Sequence, residues 1–223
     1  VGEYRGSYEH PGESALIGLL GAALGIRRED DASHAALRHG YGFAVGVQSG
    51  GKLLRDYHTA QVPGRAALKG RPHATRRDEL GVPKDDLNTI LSTRDYRQEA
   101  ASLIAVQPRN DVPYSLEALA DALRTPRFVL YLGRKSCPPA APLYPQIIIT
   151  DSVLDAFKDY RARLEAQRDA NKDRHGRVPL EAIGELMRLV WGDGIEAGAP
   201  ADLSVPRKDR LIRGFDDIDV TLE

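Results

Sequence analysis

From Ser14 to Gly133 the apolar runs follow one another as helix, strand pair, strand, helix and strand, and this order constrains the fold more than any other feature of the chain. "SALIGLLGAALGI" (14–26) places Leu16, Leu19, Leu20, Ala23 and Leu24 at helical spacing behind Ser14 as N-cap. Gly18 and Gly21 each lower helix propensity by roughly 1 kcal/mol, so their expected use is to let another backbone come close. "YGFAVGVQ" (41–48) and "KLLRDYHT" (52–59) flank Ser49-Gly50-Gly51 and read as an antiparallel hairpin. "EAASLIAVQ" (99–107) reads as a strand. "SLEALADALRTP" (115–126) reads as a helix with Leu116, Leu119, Ala120 and Leu123 on one face, ended by Pro126, and "RFVLYLG" (127–133) as a further strand. The expected fold class is α+β, a ferredoxin-like sandwich with one strand missing at the front.

Residues 60–92 interrupt this order with three prolines, several glycines and no sustained periodicity, which marks a functional or a disordered loop. Within it, Gly64 to Arg77 holds five cations (Arg65, Lys69, Arg71, Arg76, Arg77) and no acid, a composition suited to a polyanion. After Pro145, "QIIIT" (146–150) reads as a short strand, and 151–168 as an amphipathic helix with Val153, Leu154, Phe157, Tyr160 and Leu164 inward. "DANKDRHGR" (169–177) reads as solvated loop, followed by "LEAIGELMRLVWG" and a partly alternating "GFDDIDVTL". The expected division is a main domain at 1–145, carrying the 60–92 insertion, and a helix-and-strand appendage at 146–223.

Bulk charge predicts no partner: 28% of the 223 residues are charged and the net charge is −1. One cysteine excludes an internal disulfide and a Cys-rich zinc site, and the six histidines show no ligand spacing, so neither a metal nor a cofactor is expected. No apolar run reaches the roughly 18 to 20 residues of a membrane span, and no signal-peptide pattern opens the chain. A cytoplasmic setting is the default expectation.

Four short motifs carry chemistry. "GVQSGGK" (46–52) has P-loop spacing, but Leu53 stands where Mg²⁺ needs a hydroxyl and a strand follows where phosphate needs a helix. "LLRDYHT" (53–59) gathers Arg55, Tyr57 and His58. A Tyr/His pair suits acid–base work on RNA, yet alternation along a strand sends Tyr57 and His58 to opposite faces. "STRDYR" (92–97) puts Arg94 and Tyr96 on one side, suited to phosphate and base stacking, or equally to a solvated edge strand. In "YLGRKSCPP" (131–139), Gly133 lets backbone approach a ligand, Arg134 and Lys135 supply phosphate donors, Ser136 adds a hydroxyl, and Pro138-Pro139 stiffens the exit. This is an anion-binding turn or a surface turn with two solvated cations. Cys137 reads as a small buried hydrophobe rather than a nucleophile.

"LIGLLGAALGIRRED", "FAV", "LLRDYHTAQ", "STRDY" and "YLGRKSCPPAAPL", in this order, resemble the CasD family, the crRNA 5′-end subunit of the type I-E CRISPR Cascade complex. The resemblance runs from about Arg5 to Leu143 and returns weakly in "RKDRLIRGF". It implies a RAMP-type ferredoxin-like domain that holds the 5′ handle of crRNA, with a thumb-like projection at 60–92. Handle contacts carried over would fall on Gly133, Arg134, Lys135 and Ser136, with Arg55, His58, Arg94 and Tyr96 nearby. The implied partners are crRNA, the large and backbone Cascade subunits, and target DNA near the guide 5′ end. The implied role is non-catalytic; relatives of another subtype cut RNA, which keeps a metal-independent endoribonuclease as the alternative. The chain departs from the family pattern at three places. It opens at "VGEYRGSYEH", so the family's first strand is not expected and an open sheet edge is. Pro11-Gly12-Glu13 carries an acid where a cation is usual, and Gly46 stands where arginine is common.

Overall fold

The computed structural model describes residues 4–71, 74–109, 111–175, 186–192, 195 and 216–218, with side chains of 168–175 and 216–218 outside the description. In chain order its elements are β1 (Tyr4–Arg5), α1 (Glu13–Leu24), α2 (Asp31–Gly40), β2 (Tyr41–Ser49), β3 (Lys52–Pro63), α3 (Arg65–Leu68), α4 (Arg76–Leu80), β4 (Leu87–Gln98), β5 (Ala101–Pro108), α5 (Leu116–Arg124), α6 (Val153–His175), β6 (Arg188–Trp191) and β7 (Asp216–Ile218). The chain is thus a mixed α and β protein. It divides into two compact units, Val1–Tyr8 with Gly51–Glu99, and Glu9–Gly50 with Ala100–Glu223.

The second unit is built on β2. Its sheet has the order β5-β2-β6-β7, antiparallel throughout, and β2 is buried from Tyr41 to Gln48. Tyr41, Phe43, Val45 and Val47 point to one face, where Leu16, Ile17 and Leu20 of α1, Leu37 of α2 and Leu119 of α5 meet them. On the other face Ala44 meets Val153, Leu154 and Phe157 of α6, together with Leu186, Leu189 and Ile195. This second layer accepts only small residues from β2. A Cβ on Gly46 would stand 2.7 Å from Leu186 Cδ2 and 3.0 Å from Phe157 Cε2. An arginine at position 46 has no room, which accounts for the departure at that site.

The helices follow their end signals. α1 starts behind Gly12, whose carbonyl accepts from the amides of Ala15 and Leu16, and not behind Ser14, which lies inside the helix. It ends at Gly25 in the left-handed conformation, φ 80°. Of its two interior glycines only Gly21 is crowded: a Cβ there would lie 2.9 Å from His34 Cε1 of α2, whereas Gly18 has nothing within 4 Å. α2 has no counterpart among the sequence expectations; Asp30 caps it by accepting from the Ser33 amide at 3.0 Å. Ser115 caps α5 by accepting from Ala118. α6 runs to His175, so residues 169–175 extend the helix instead of forming a loop.

Three strand expectations are corrected. β2 and β3 are not a hairpin: β2 pairs with β5 and β6, and β3 pairs with β4. A strand buried on both faces needs neighbours that continue both layers, and the polar, exposed β3 cannot supply them. "RFVLYLG" is not a strand, because the amides of Arg127 and Phe128 donate to Ala23 and Ala22 at the end of α1. "QIIIT" is likewise without strand structure. β5 ends its sheet, and among the described residues no strand covers its outer edge. Of the tail, "RKDRLIRGF", most of "GFDDIDVTL" and the first six residues of "LEAIGELMRLVWG" lie outside the described residues.

The first unit is a ribbon. β3 and β4 pair from Lys52↔Gln98 to Pro63↔Leu87, and β1 joins β4 in parallel. Of the stretch read as a loop, 60–63 and 87–92 lie in β3 and β4, and the described residues between them contain α3, α4 and a 3-10 turn at Lys84–Asp86. Thr75 and Asp78 form a reciprocal capping box on α4. Among the described residues of this unit Asp95 alone is buried.

Candidate nucleic-acid interface

The turn after α5 is closed on itself. The amide of Leu132 donates to Cys137 O at 2.9 Å, that of Cys137 to Arg134 O at 2.9 Å, and that of Arg134 to Leu132 O at 2.8 Å. Gly133 adopts φ 71°, a conformation that L side chains rarely take, and its open side faces Ala15 in the first turn of α1. Backbone amides at a helix start carry partial positive charge, which Glu13 in the same turn offsets in part. Lys135 and Ser136 are exposed, while Arg134 and Cys137 are half-buried. The turn therefore presents an ammonium and a hydroxyl on a backbone with a fixed shape, an arrangement able to hold a phosphate.

The other four predicted residues belong to the ribbon. Residues paired across strands share a face, so the register His58↔Ser92, Asp56↔Arg94 and Leu54↔Tyr96 puts His58, Arg94 and Tyr96 on one face. Arg55 pairs with Asp95 and lies on the opposite face. β1 adds Arg5 beside Arg94 through the register Arg5↔Arg94, a cation that the sequence reading did not single out. A two-residue strand leaves no pattern by which to find it. His58 Nε2 lies 2.5 Å from Asp56 Oδ2 on that same face. Tyr57 faces the other way, so Tyr57 and His58 do not converge on one reacting atom.

Arg55 has a structural task. Its Nε and Nη2 donate to the two oxygens of Asp95 at 2.9 and 3.1 Å, and the Tyr4 hydroxyl donates to Asp95 Oδ2 at 2.8 Å. The guanidinium also stands 5.9 Å from the centroid of the Tyr4 ring. Arg55, and then Tyr4, hold the Asp95 carboxyl below the usual aspartate range, while the same carboxylate raises the Tyr4 hydroxyl and the Arg55 guanidinium above theirs. The Arg55 side chain still keeps 57% exposure, so its outer edge can meet a ligand. Among the described residues no helix is long and apolar enough to cross a membrane.

A family model described as CRISPR-associated protein (Cas_Cas5) matches residues 1–209. Over 142 residues the chain is 34% identical to the CRISPR system Cascade subunit CasD of Escherichia coli (strain K12), a match covering 60% of this chain and 57% of that one. Among solved structures, a chain of a CRISPR RNA-guided surveillance complex matches at 30% identity and a TM-score of 0.49, covering 70% of this chain and 59% of its own. A second, described as a crystal structure of Cas protein, matches at 28% identity and a TM-score of 0.43, with coverages of 71% and 60%. The chain thus spans 57% to 60% of the length of these relatives.

Proposed function

The chain belongs to the CRISPR-associated Cas5 family, and from that premise we propose that it is a non-catalytic Cascade subunit that holds the 5′ handle of crRNA. In this reading the second unit is the ferredoxin-like, RAMP-type domain and the β3–β4 ribbon is its thumb. The subunit bridges the large and backbone subunits in the cytoplasm and lies where target DNA meets the guide 5′ end. The observation that carries the proposal is the self-closed turn Leu132–Cys137, which holds Lys135 and Ser136 outward beside the start of α1. A backbone already locked needs little ordering when phosphate arrives, so contacts there are retained as binding free energy. Arg5, Arg94, His58 and Tyr96 on one ribbon face offer a second set of phosphate and base contacts.

Fluorescence anisotropy of the full chain with RNA bearing a repeat-derived 5′ handle tests this. Lys135→Ala should weaken binding by roughly 10-fold, as expected for one charge-assisted contact. It should also reduce the slope of log K against log salt by about one. Unchanged affinity and slope would contradict the proposal. A second reading, a metal-independent endoribonuclease, is favoured by the His58–Asp56 pair, which has the geometry of a base and its orienter. Cleavage of repeat RNA in EDTA that is lost in His58→Ala would establish it.

A further inference from the structure

The ribbon has a second face that none of the contacts above uses, apart from the outer edge of Arg55. The register Tyr4↔Thr93 and Tyr57↔Thr93 lays Tyr4, Thr93 and Tyr57 side by side in one row across β1, β4 and β3. Arg55 and Asp95 form the next row on one side, and Thr59 and Leu91 the next on the other. Both tyrosines are open to water, with exposures of 60% for Tyr4 and 61% for Tyr57. Neighbouring strands are about 4.8 Å apart, so the two aromatic residues stand on strands roughly 10 Å apart with only a threonine between them. That spacing admits a planar ring between two others.

From this row we infer that the ribbon holds one unpaired RNA base against Tyr4 and Tyr57, over Thr93. The inference rests on the RNA-binding reading above and adds a residue-level site to it. Three features favour a nucleotide over a protein partner. Tyr4 is already immobilised at its hydroxyl by Asp95 and over its ring by Arg55, so stacking on it orders little that is not ordered beforehand. From Leu53 to Gln61 and its paired stretch of β4, Asp95 is the one carboxylate on this face, and it is 3% exposed beneath Arg55. The groups left outward are aromatic, hydroxyl, aliphatic and cationic, which suits an anionic polymer with flat bases. Base–aromatic stacking also needs no particular base identity, as befits a ribbon that tracks a strand.

The test uses the full chain and single-stranded RNA carrying 2-aminopurine at successive positions, read by anisotropy and by quenching of the 2-aminopurine fluorescence. Tyr57→Ser should weaken binding by roughly 10-fold and relieve the quenching at one position, as expected for loss of one stacked base. Tyr57→Phe keeps the ring and should bind within about 2-fold of the parent chain. The salt slope should not change in either variant, because no charge is removed. If the parent chain binds RNA and Tyr57→Ser binds it equally, the stacking site is refuted while the turn survives. Equal loss in Tyr57→Phe and Tyr57→Ser also refutes it, since the ring would then not be what binds. Retained RNA binding with lost association to another Cascade subunit would make this face a protein surface, again overturning the inference. Absence of RNA binding by the parent chain overturns the proposed function and with it this site.

Discussion

The second unit buries β2 on both faces, whereas the first leaves both faces of β3 and β4 largely in water. The contrast separates two ways of using a sheet. In the second unit each face of β2 is covered, so its side chains are committed to packing, and under the proposed function RNA meets this unit at loops such as Leu132–Cys137. In the ribbon the backbone ladder and the Tyr4–Asp95–Arg55 cluster hold the strands, and most side chains remain available for contact. Under the proposed function, packing and recognition fall to different parts of the chain.

The largest effects that sharpen this contrast lie in the second unit. Phe157→Ala should cost about 3 to 5 kcal/mol in denaturant unfolding, because it empties the layer against Gly46. Gly46→Arg should destabilise by about 3 kcal/mol or more, since it forces a long charged side chain into the same layer. A change in either variant confined to RNA binding, with no loss of stability, would break the contrast. Within the ribbon, Asp95→Asn should raise hydrogen exchange and proteolysis across β3 and β4 before the rest of the chain responds. It removes the charge to which Arg55 donates twice.

Acid should act on the same cluster. Asp95 is held below the ordinary aspartate range, so its contribution is complete above that range and is lost as pH falls through the lowered value. Hydrogen exchange followed against pH should show the ribbon loosening only in strong acid, and Asp95→Asn should flatten that response. The smallest effect is expected at Tyr57, where Tyr57→Ala should change stability by no more than about 0.5 kcal/mol. A large loss there would mean that the exposed row is structural.

The same contrast explains what was legible in the sequence. α1, α5 and the first part of α6 could be read because each buries one face and so carries apolar residues at helical spacing. Of the ribbon, 52–59 read as a strand but the rest did not, because a strand without a buried face has no reason to alternate, and so 60–92 read as loop. Pairing was also hidden: Ser49-Gly50-Gly51 has hairpin composition, yet what decides the partner of β2 is the layer it completes. In the candidate site, Arg94 and Tyr96 share a face by simple parity along β4, and Tyr57 and His58 are parted by the same rule. That His58 joins Arg94 depends on cross-strand register, and that Arg5 does so depends on a two-residue strand, neither of which the sequence displays.

The most direct test of the central claim is photo-crosslinking of the full chain to RNA whose 5′ handle carries 4-thiouridine, with the modified peptides identified by mass spectrometry. Crosslinks are expected in the peptide containing Gly133, Arg134, Lys135 and Ser136, and should be lost at high salt. Crosslinks confined to other peptides, with this turn unmodified, would contradict it.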